Sequence, residues 1–167
     1  AKRGDIGNTG LHYANAFFSH FNCDAITVSP YMGEESIEPF ISNPSKGAYV
    51  LCRTSNKSST FIQEEIYSKV ISLCEALNNQ QNIGLVVGAT NDDALMQVRN
   101  STDLPFLIPG IGAQGGDLQS VLKINENSMD TTLINVSRGI IFSGNKDHDS
   151  IRNSAKQYLN QLRGLNG

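Results

Sequence analysis

Long apolar runs and an excess of positive charge are both missing from this sequence of 167 residues. No segment reaches the roughly 18 consecutive apolar residues that a membrane-spanning helix needs, so no membrane partner is predicted. The formal net charge of -3 gives no reason to expect nucleic acid as a partner. Any anionic ligand must therefore be bound locally, by a few cations and backbone N–H groups placed around it.

Cysteines are also few. The three that occur, Cys23, Cys52 and Cys74, are widely spaced and form no C-x-x-C pair. Such a set is typical of reduced, mostly buried thiols in a cytoplasmic protein, rather than of a disulfide framework or a zinc site. The three histidines likewise lack metal-ligand spacing. The sequence therefore predicts a cytoplasmic protein with no metal site.

What the sequence does contain is an alternation of short apolar segments with helical patterns. With 39% apolar and 17% charged residues, a chain of this length is expected to form a single domain over residues 1–167. Five apolar segments predict buried strands: 25–29, 48–52, 83–87, 106–108 and 132–136. Helices are predicted over 8–21, 34–41, 58–77, 92–98, 118–123 and 150–162. This order predicts an α/β fold with a parallel sheet, either an open doubly wound sheet or part of a (β/α)8 barrel.

The predicted helices have recognisable ends and faces. Asn8 or Thr9 is expected to cap the first helix, and Asn91 or Asp92 the fourth. The helix over 58–77 has an apolar side and a solvated face that includes Glu64. The apolar side consists of Phe61, Ile62, Ile66, Val70, Leu73 and Leu77.

The loop 109–117 contains four glycines and leads directly into a helix. It follows a strand, and ligands bind at the carboxyl ends of strands in both architectures. Glycines let backbone N–H groups approach an anion, and a helix N-terminus adds a favourable dipole. Gly110, Gly112 and Gly115 match the G-x-G-x-x-G pattern, but an acidic ribose partner is missing at the usual distance. Gln114 is suited to bridging polar groups of a ligand, so an anion site is predicted here in preference to a loop of tight turns.

A cation follows the last predicted strand. Arg138 precedes Gly139, and an Arg at this position can bind a phosphate through a forked pair of hydrogen bonds. The alternative is a surface ion pair. Phosphate sites in barrels are frequently built from the loops after strands 7 and 8. If the last two predicted strands are these, three barrel strands precede Lys2.

The first residues of the chain place Lys2 and Asp5 three positions apart. Aimed into one cleft, a cation and a carboxylate would form an alternating charge array that stabilises a developing anion. Taken alone, these residues fit a solvated turn with an exposed ion pair better.

Four stretches together resemble the orotidine 5′-monophosphate decarboxylase family: 1–9, 53–56, 109–117 and 136–139. They occur in the family's order and span nearly the whole chain. Lys2 and Asp5 match the Lys and the second Asp of the family's Asp-x-Lys-x-x-Asp motif, whose first Asp would precede Ala1. The resemblance implies a (β/α)8 TIM barrel, of which the chain supplies about strands 4–8 and the helix after strand 3. It would then be the C-terminal two-thirds of a longer polypeptide.

The resemblance also implies an activity, the conversion of orotidine 5′-monophosphate to uridine 5′-monophosphate and CO2 in pyrimidine biosynthesis, without a metal or an organic cofactor. Lys2 would donate the proton to pyrimidine C6. Asp5, Ile6 and Thr9 would enter the site of the neighbouring subunit, which implies a homodimer with shared active sites.

The remaining substrate contacts are implied in the same way. Ser55 would bind the pyrimidine edge, Gln114 would bridge the base and the phosphate, and Arg138 would bind the phosphate. Pro109 and Ser137, which lie within the matching stretches, are also expected to contact the substrate.

Two alternatives remain at the level of sequence. One is a Mg2+-dependent sugar-phosphate decarboxylase of the same barrel superfamily, although the surroundings of Ser55 and Gln114 suit a pyrimidine nucleotide better. The other is a non-catalytic nucleotide-binding barrel or an inactive fragment.

Overall fold

The computed structural model of the chain describes residues 2–112 and 114–164. Ala1, in the first motif, and Ala113, in the loop 109–117, lie outside the described residues. The described residues form one parallel sheet of six strands. These are β1 (Lys2–Arg3), β2 (Ala25–Val28), β3 (Gly47–Arg53), β4 (Ile83–Val87), β5 (Phe106–Pro109) and β6 (Thr132–Asn135).

Helical segments connect the strands. The α-helices are α1 (Gly7–Asn15), α2 (Glu38–Ile41), α3 (Thr60–Leu77), α4 (Asp92–Arg99), α5 (Leu118–Ile124), α6 (Arg138–Ile141) and α7 (His148–Gly164). A π-helical turn, Ala16–His20, continues α1, and 3-10 segments cover Glu34–Ser36, Lys57–Ser59 and Glu126–Thr131.

The strands lie in the sheet in their order along the chain, and every neighbouring pair is parallel. A doubly wound sheet reverses its strand order at a switch point, whereas a barrel adds each βα unit beside the previous one. The uninterrupted order therefore agrees with part of a (β/α)8 barrel and excludes the doubly wound alternative for the described strands.

The predicted count of five strands is one too few. Lys2 and Arg3 pair with Thr27 and Val28 and form a sixth strand. This strand has only two residues, and both are exposed charged side chains. Strands were predicted from apolar segments, and β1 contains no apolar residue, so the sequence pattern could not predict it.

One predicted cap is confirmed and one is wrong. The side chain of Asn91 accepts a hydrogen bond from the N–H of Ala94 at 3.0 Å and caps α4. In contrast, α1 begins at Gly7, the cap position is taken by Ile6, and no side chain of the described residues caps the helix. Gly7 has a φ of 55° and turns the chain one residue earlier than the polar Asn8 indicated.

The hydrophobic core lies between the sheet and the helices. All five residues of β4 are buried, and Phe40 of α2 and Phe106 of β5 are the largest fully buried side chains. As predicted, the three cysteines are free thiols. Burial raises the pKa of Cys52 and of Cys74 to about 12, so both remain protonated. Among the described residues, no helix combines the length and the apolar character that crossing a membrane requires.

The apolar side of α3 differs from the prediction at its first turn. Val70, Ile71 and Cys74 are buried, but Phe61 is 87% exposed and Ile62 is 47% exposed. A helix that follows a parallel strand begins at the carboxyl edge of the sheet, beyond the reach of the core. The exposed first turn of α3 is therefore available to another molecule.

Candidate active site

The loops after three successive strands are joined at the carboxyl edge of the sheet. Ser55 follows β3, and its hydroxyl donates a hydrogen bond of 2.7 Å to the side-chain oxygen of Gln114, in the loop after β5. Thr90 follows β4, and its hydroxyl donates to the carbonyl oxygen of Ser55 at 3.0 Å. The structure thus brings together two predicted site residues that are 59 positions apart in the sequence.

Two glycines allow this close approach. A Cβ on Gly88 would lie 2.7 Å from the backbone nitrogen of Ser55, which leaves no room for a side chain. Gly110 has a φ of 107°, which other residues rarely adopt, and a Cβ there would lie 3.1 Å from the Gln114 side-chain oxygen. The Ser55–Gln114 contact therefore depends on backbone positions without side chains.

The glycine-rich loop uses several of its own donors. The N–H groups of Gly112, Gly115 and Gly116 donate to carbonyl oxygens within the loop. The carboxylate of Asp117 accepts from the N–H of Ser120 at 2.8 Å and caps α5. Hydrogen bonds from Ser120 lower the pKa of Asp117. The donors named here are therefore engaged within the loop, and the anion site at this loop stays a prediction.

Three predicted residues lie at or just after the ends of the last two strands. Pro109 ends β5 opposite Asn135 of β6, and its carbonyl oxygen accepts from the N–H of Ala89 at 2.9 Å. Ser137 and Arg138 follow β6, and both are exposed. The Arg138 guanidinium forms no ion pair with any residue of 2–112 or 114–164. Arg138 is thus an available cation, and not part of a surface ion pair.

The first strand places the other predicted cation at the opposite side of the sheet. Lys2 is exposed in β1, and Asp5 is half-buried between β1 and α1. The Asp5 carboxylate accepts from the N–H of Ile6 at 2.9 Å, and no ion pair links it to Lys2. The exposed ion pair considered for these residues is therefore not formed. Ile6 and Thr9 are exposed at the start of α1.

An ion pair between a buried arginine and an exposed glutamate lies behind Ser55 and was not predicted from the sequence. Arg53 is only 6% exposed, and its Nη2 lies 2.6 Å from a carboxylate oxygen of Glu64. Its guanidinium also lies 5.1 Å from the ring centre of Tyr67. Glu64 lies on the exposed face of α3, as predicted, and its carboxylate also pairs with Arg53. A signal was available, because an Arg at the end of a predicted buried strand needs a polar or anionic partner, and Glu64 lies on the helix that follows.

A neighbouring pair holds the same loop. The side-chain oxygen of Gln63 accepts from the N–H of Thr54 at 2.7 Å. Together with the Arg53–Glu64 ion pair, this contact fixes the backbone that leads into Ser55 from the side of α3. No group of three or more His, Cys, Asp or Glu side chains that could hold a metal ion occurs in the part of the chain that the structure describes.

Sequential parallel βα units, with polar groups gathered at one edge of the sheet, define a protein of the (β/α)8-barrel class. Residues 1–150 match the orotidine 5'-phosphate decarboxylase / HUMPS family, so the chain belongs to this family.

Relatives and solved structures agree with this assignment. An orotidine 5'-phosphate decarboxylase of Dehalococcoides mccartyi is 45% identical over 171 residues, which covers 94% of this chain and 63% of the relative. An OMP decarboxylase structure of Leishmania donovani is 40% identical with a TM-score of 0.88, and the match covers 99% of this chain and 66% of that one. The UMP synthase structure of the same organism is 42% identical with a TM-score of 0.90, with 99% and 38% covered. The chain thus spans less than two thirds of the curated relative's length.

Proposed function

We propose that this chain carries the catalytic edge of an enzyme that converts orotidine 5′-monophosphate to uridine 5′-monophosphate and CO2. The observation that carries the proposal is the hydrogen bond between Ser55 and Gln114, since it joins two separate loops into one polar surface. Family membership supports the reaction. We further propose that the enzyme works in the cytoplasm, where its free thiols stay reduced.

Lys2 is the proposed proton donor. Loss of CO2 breaks the bond between C6 and the carboxyl carbon and leaves the electron pair on C6. The Lys2 ammonium neutralises this charge and then transfers a proton to C6, so the reaction needs neither a metal nor an organic cofactor. Lys2 has no ion-pair partner among the described residues, which leaves its charge available.

Ser55 and Gln114 are the proposed base-binding pair. The Gln114 oxygen accepts the Ser55 hydroxyl, which leaves the Gln114 amide N–H groups free to donate to a ligand. The Arg53–Glu64 pair and the Gln63–Thr54 bond support the Ser55 loop from behind. A rigid supporting layer of this kind favours accurate placement of the base.

Arg138 is the proposed phosphate ligand, with Ser137 and Pro109 beside it. Binding energy from the phosphate, far from C6, can be used to orient the reacting atoms. The exposed guanidinium and the adjacent glycine-rich loop support this role. Several N–H groups of the loop 109–117 already donate to carbonyl oxygens within the loop, so the charge of Arg138 contributes more of the free energy of phosphate binding.

We also propose a homodimer with shared sites. Large apolar side chains are exposed after the first three strands, at the same edge of the sheet. They include Ile6 at 55%, Tyr31 at 79% and Phe61 at 87% exposure. A second copy of the chain would cover them and would bring Asp5, Ile6 and Thr9 to its partner's site.

Residues 1–167 are proposed to form one domain, the C-terminal part of a barrel. Within the described sheet, β1 and β6 each have one strand neighbour. A barrel leaves no strand edge unpaired, so further strands would join these two.

Absorbance loss of orotidine monophosphate, measured beside calorimetry with uridine monophosphate, tests the proposal in the intact protein. We expect turnover in the presence of a chelator, and we expect Lys2→Ala to abolish turnover while keeping nucleotide affinity within about threefold, because the lysine acts on the reaction rather than on binding. Lys123→Ala, an exposed lysine on α5, is the control. Turnover by Lys2→Ala near the wild-type rate would contradict the role of Lys2. Loss of activity on chelation would favour the Mg2+-dependent sugar-phosphate alternative.

A further inference from the structure

The last described helix, α7, reaches the two loops that the proposed function assigns to the phosphate. The hydroxyl of Ser154 donates a hydrogen bond of 2.8 Å to the carbonyl oxygen of Gly139. Ser154 is 9% exposed, and the bond is partly buried. Gly139 directly follows Arg138, and the bond therefore fixes the backbone next to the proposed phosphate ligand.

Tyr158 lies one helical turn beyond Ser154 and contacts both loops. A Cβ added to Gly139 would lie 2.7 Å from the Tyr158 hydroxyl oxygen, and one added to Gly112 would lie 2.8 Å from it. The hydroxyl therefore fills the space between the turn after β6 and the glycine-rich loop after β5. The ring of Tyr158 packs against the hydrophobic core, which anchors the hydroxyl.

The spacing of these two residues explains how one helix holds both loops. Residues four apart in an α-helix lie on the same face, so α7 presents Ser154 and Tyr158 together. One side chain holds Gly139 through its carbonyl oxygen, and the other separates Gly139 from Gly112. A shift of α7 would therefore change the distance between the cation and the loop that carries Gln114.

We propose that Ser154 and Tyr158 are positioning residues, which set the Arg138 turn and the glycine-rich loop at the separation that a nucleotide 5′-phosphate needs. They act through Gly139 and Gly112 and not by touching the substrate. The inference rests on the proposed function, because it assigns a purpose to the phosphate site. Small displacements of a binding group carry large costs in affinity and rate, so these contacts matter beyond stability.

The first test compares a nucleotide with its nucleoside in the intact protein. We expect Tyr158→Phe and Ser154→Ala each to weaken uridine monophosphate binding about threefold to tenfold, the range that corresponds to one lost hydrogen bond or contact. Uridine binding should be unchanged, because it lacks the phosphate. Tyr49→Phe, near the amino end of β3, is the matched control and should change neither affinity.

The second test uses a steric conflict and its relief. Gly139→Ala places a methyl group 2.7 Å from the Tyr158 hydroxyl, and we expect it to lower the affinity for uridine monophosphate. Adding Tyr158→Phe removes that oxygen and leaves the nearest ring carbon at 3.4 Å, so the double variant should bind the nucleotide more tightly than Gly139→Ala alone. Gly164→Ala, where a Cβ meets nothing within 4 Å, is the control.

The outcomes separate the two proposals. A wild-type protein that binds uridine and uridine monophosphate equally would overturn the proposed function. A wild-type protein that prefers the nucleotide, together with Tyr158→Phe and Ser154→Ala variants of unchanged preference, would overturn the positioning role alone. The same conclusion follows if these variants only lower the melting temperature, or if Tyr158→Phe fails to improve Gly139→Ala.

Discussion

Arg138 begins α6 with its guanidinium exposed and unpaired among the described residues. A forked pair of charge-assisted hydrogen bonds to a phosphate would use this group fully. We expect Arg138→Ala to lower kcat/KM for orotidine monophosphate by about 100-fold or more, since each such bond contributes about 1.5–3 kcal/mol. Steady-state kinetics measures the effect, with Arg163→Ala at the end of α7 as the control.

The nucleoside without its phosphate provides the decisive comparison for Arg138. Its turnover, however slow, should be the same in Arg138→Ala and in the wild-type protein. Equal losses for both substrates would show that Arg138 supports the fold of the site, and would contradict the phosphate assignment.

At the scale of residues, the sequence could predict candidate site residues that directly follow a strand. Ser55, Gln114 and Arg138 each follow a strand, so their common edge could be predicted from chain order alone. Tyr158 could not be found this way, because its importance depends on where α7 packs against two distant glycines. No local pattern encodes such a contact.

At the scale of elements, caps provide a quantitative test. Asn91 is the residue whose side chain caps α4, through the N–H of Ala94. We expect Asn91→Ala to lower the free energy of unfolding by about 1 kcal/mol, since the N–H of Ala94 at the helix start loses its hydrogen-bond acceptor. Chemical denaturation measures the change. Asn127→Ala, an exposed position in the segment Glu126–Thr131, should be nearly neutral, and an equal loss there would contradict the specific role of the cap.

Helices and strands were predicted well where the local sequence contains a cap or an apolar segment. The capped helix α4 and the fully buried strand β4 match the predicted positions closely. The strand β1 and the start of α1 do not, because β1 is held by backbone pairing and α1 begins after a glycine turn. The polar residue Asn8 did not predict the start of α1 correctly, because the turn at Gly7 determines where the helix begins.

At the scale of the whole molecule, shared sites make a prediction about mixed dimers. Lys2 and Asp5 are proposed to act in different sites, so a dimer of one Lys2→Ala and one Asp5→Ala subunit has one intact site. We expect each variant to be inactive alone, and their co-expression should restore about a quarter of the wild-type activity, given random pairing of subunits. Turnover of the purified mixture measures this rescue.

A matched mixture serves as the control for subunit sharing. Lys2 and Arg138 are proposed to act in the same site, so mixing Lys2→Ala with Arg138→Ala should give no activity beyond that of Arg138→Ala alone. Absence of rescue with Asp5→Ala, in a mixture shown to contain mixed dimers, would contradict the shared site.

The barrel class was predictable at this scale because βα alternation and the resemblance agree. The exposure of the first turn of α3 could not be predicted, since Phe61 and Ile62 fit the helical period of the buried face as well as the buried residues do. Periodicity gives the direction of a side chain around the helix axis. It does not show how far along that axis the core extends.

The strict agreement between chain order and sheet order also bears on how the protein forms. Every strand pairs with the strand that precedes or follows it along the chain, and the intervening loop closures are short in sequence. Each βα unit can therefore dock on the unit made before it while synthesis continues, without waiting for a distant partner. Contacts between elements that are distant in sequence must wait, among them the Ser55–Gln114 hydrogen bond and the contacts of Tyr158 with Gly112 and Gly139, so the proposed substrate site assembles after the strands that carry it.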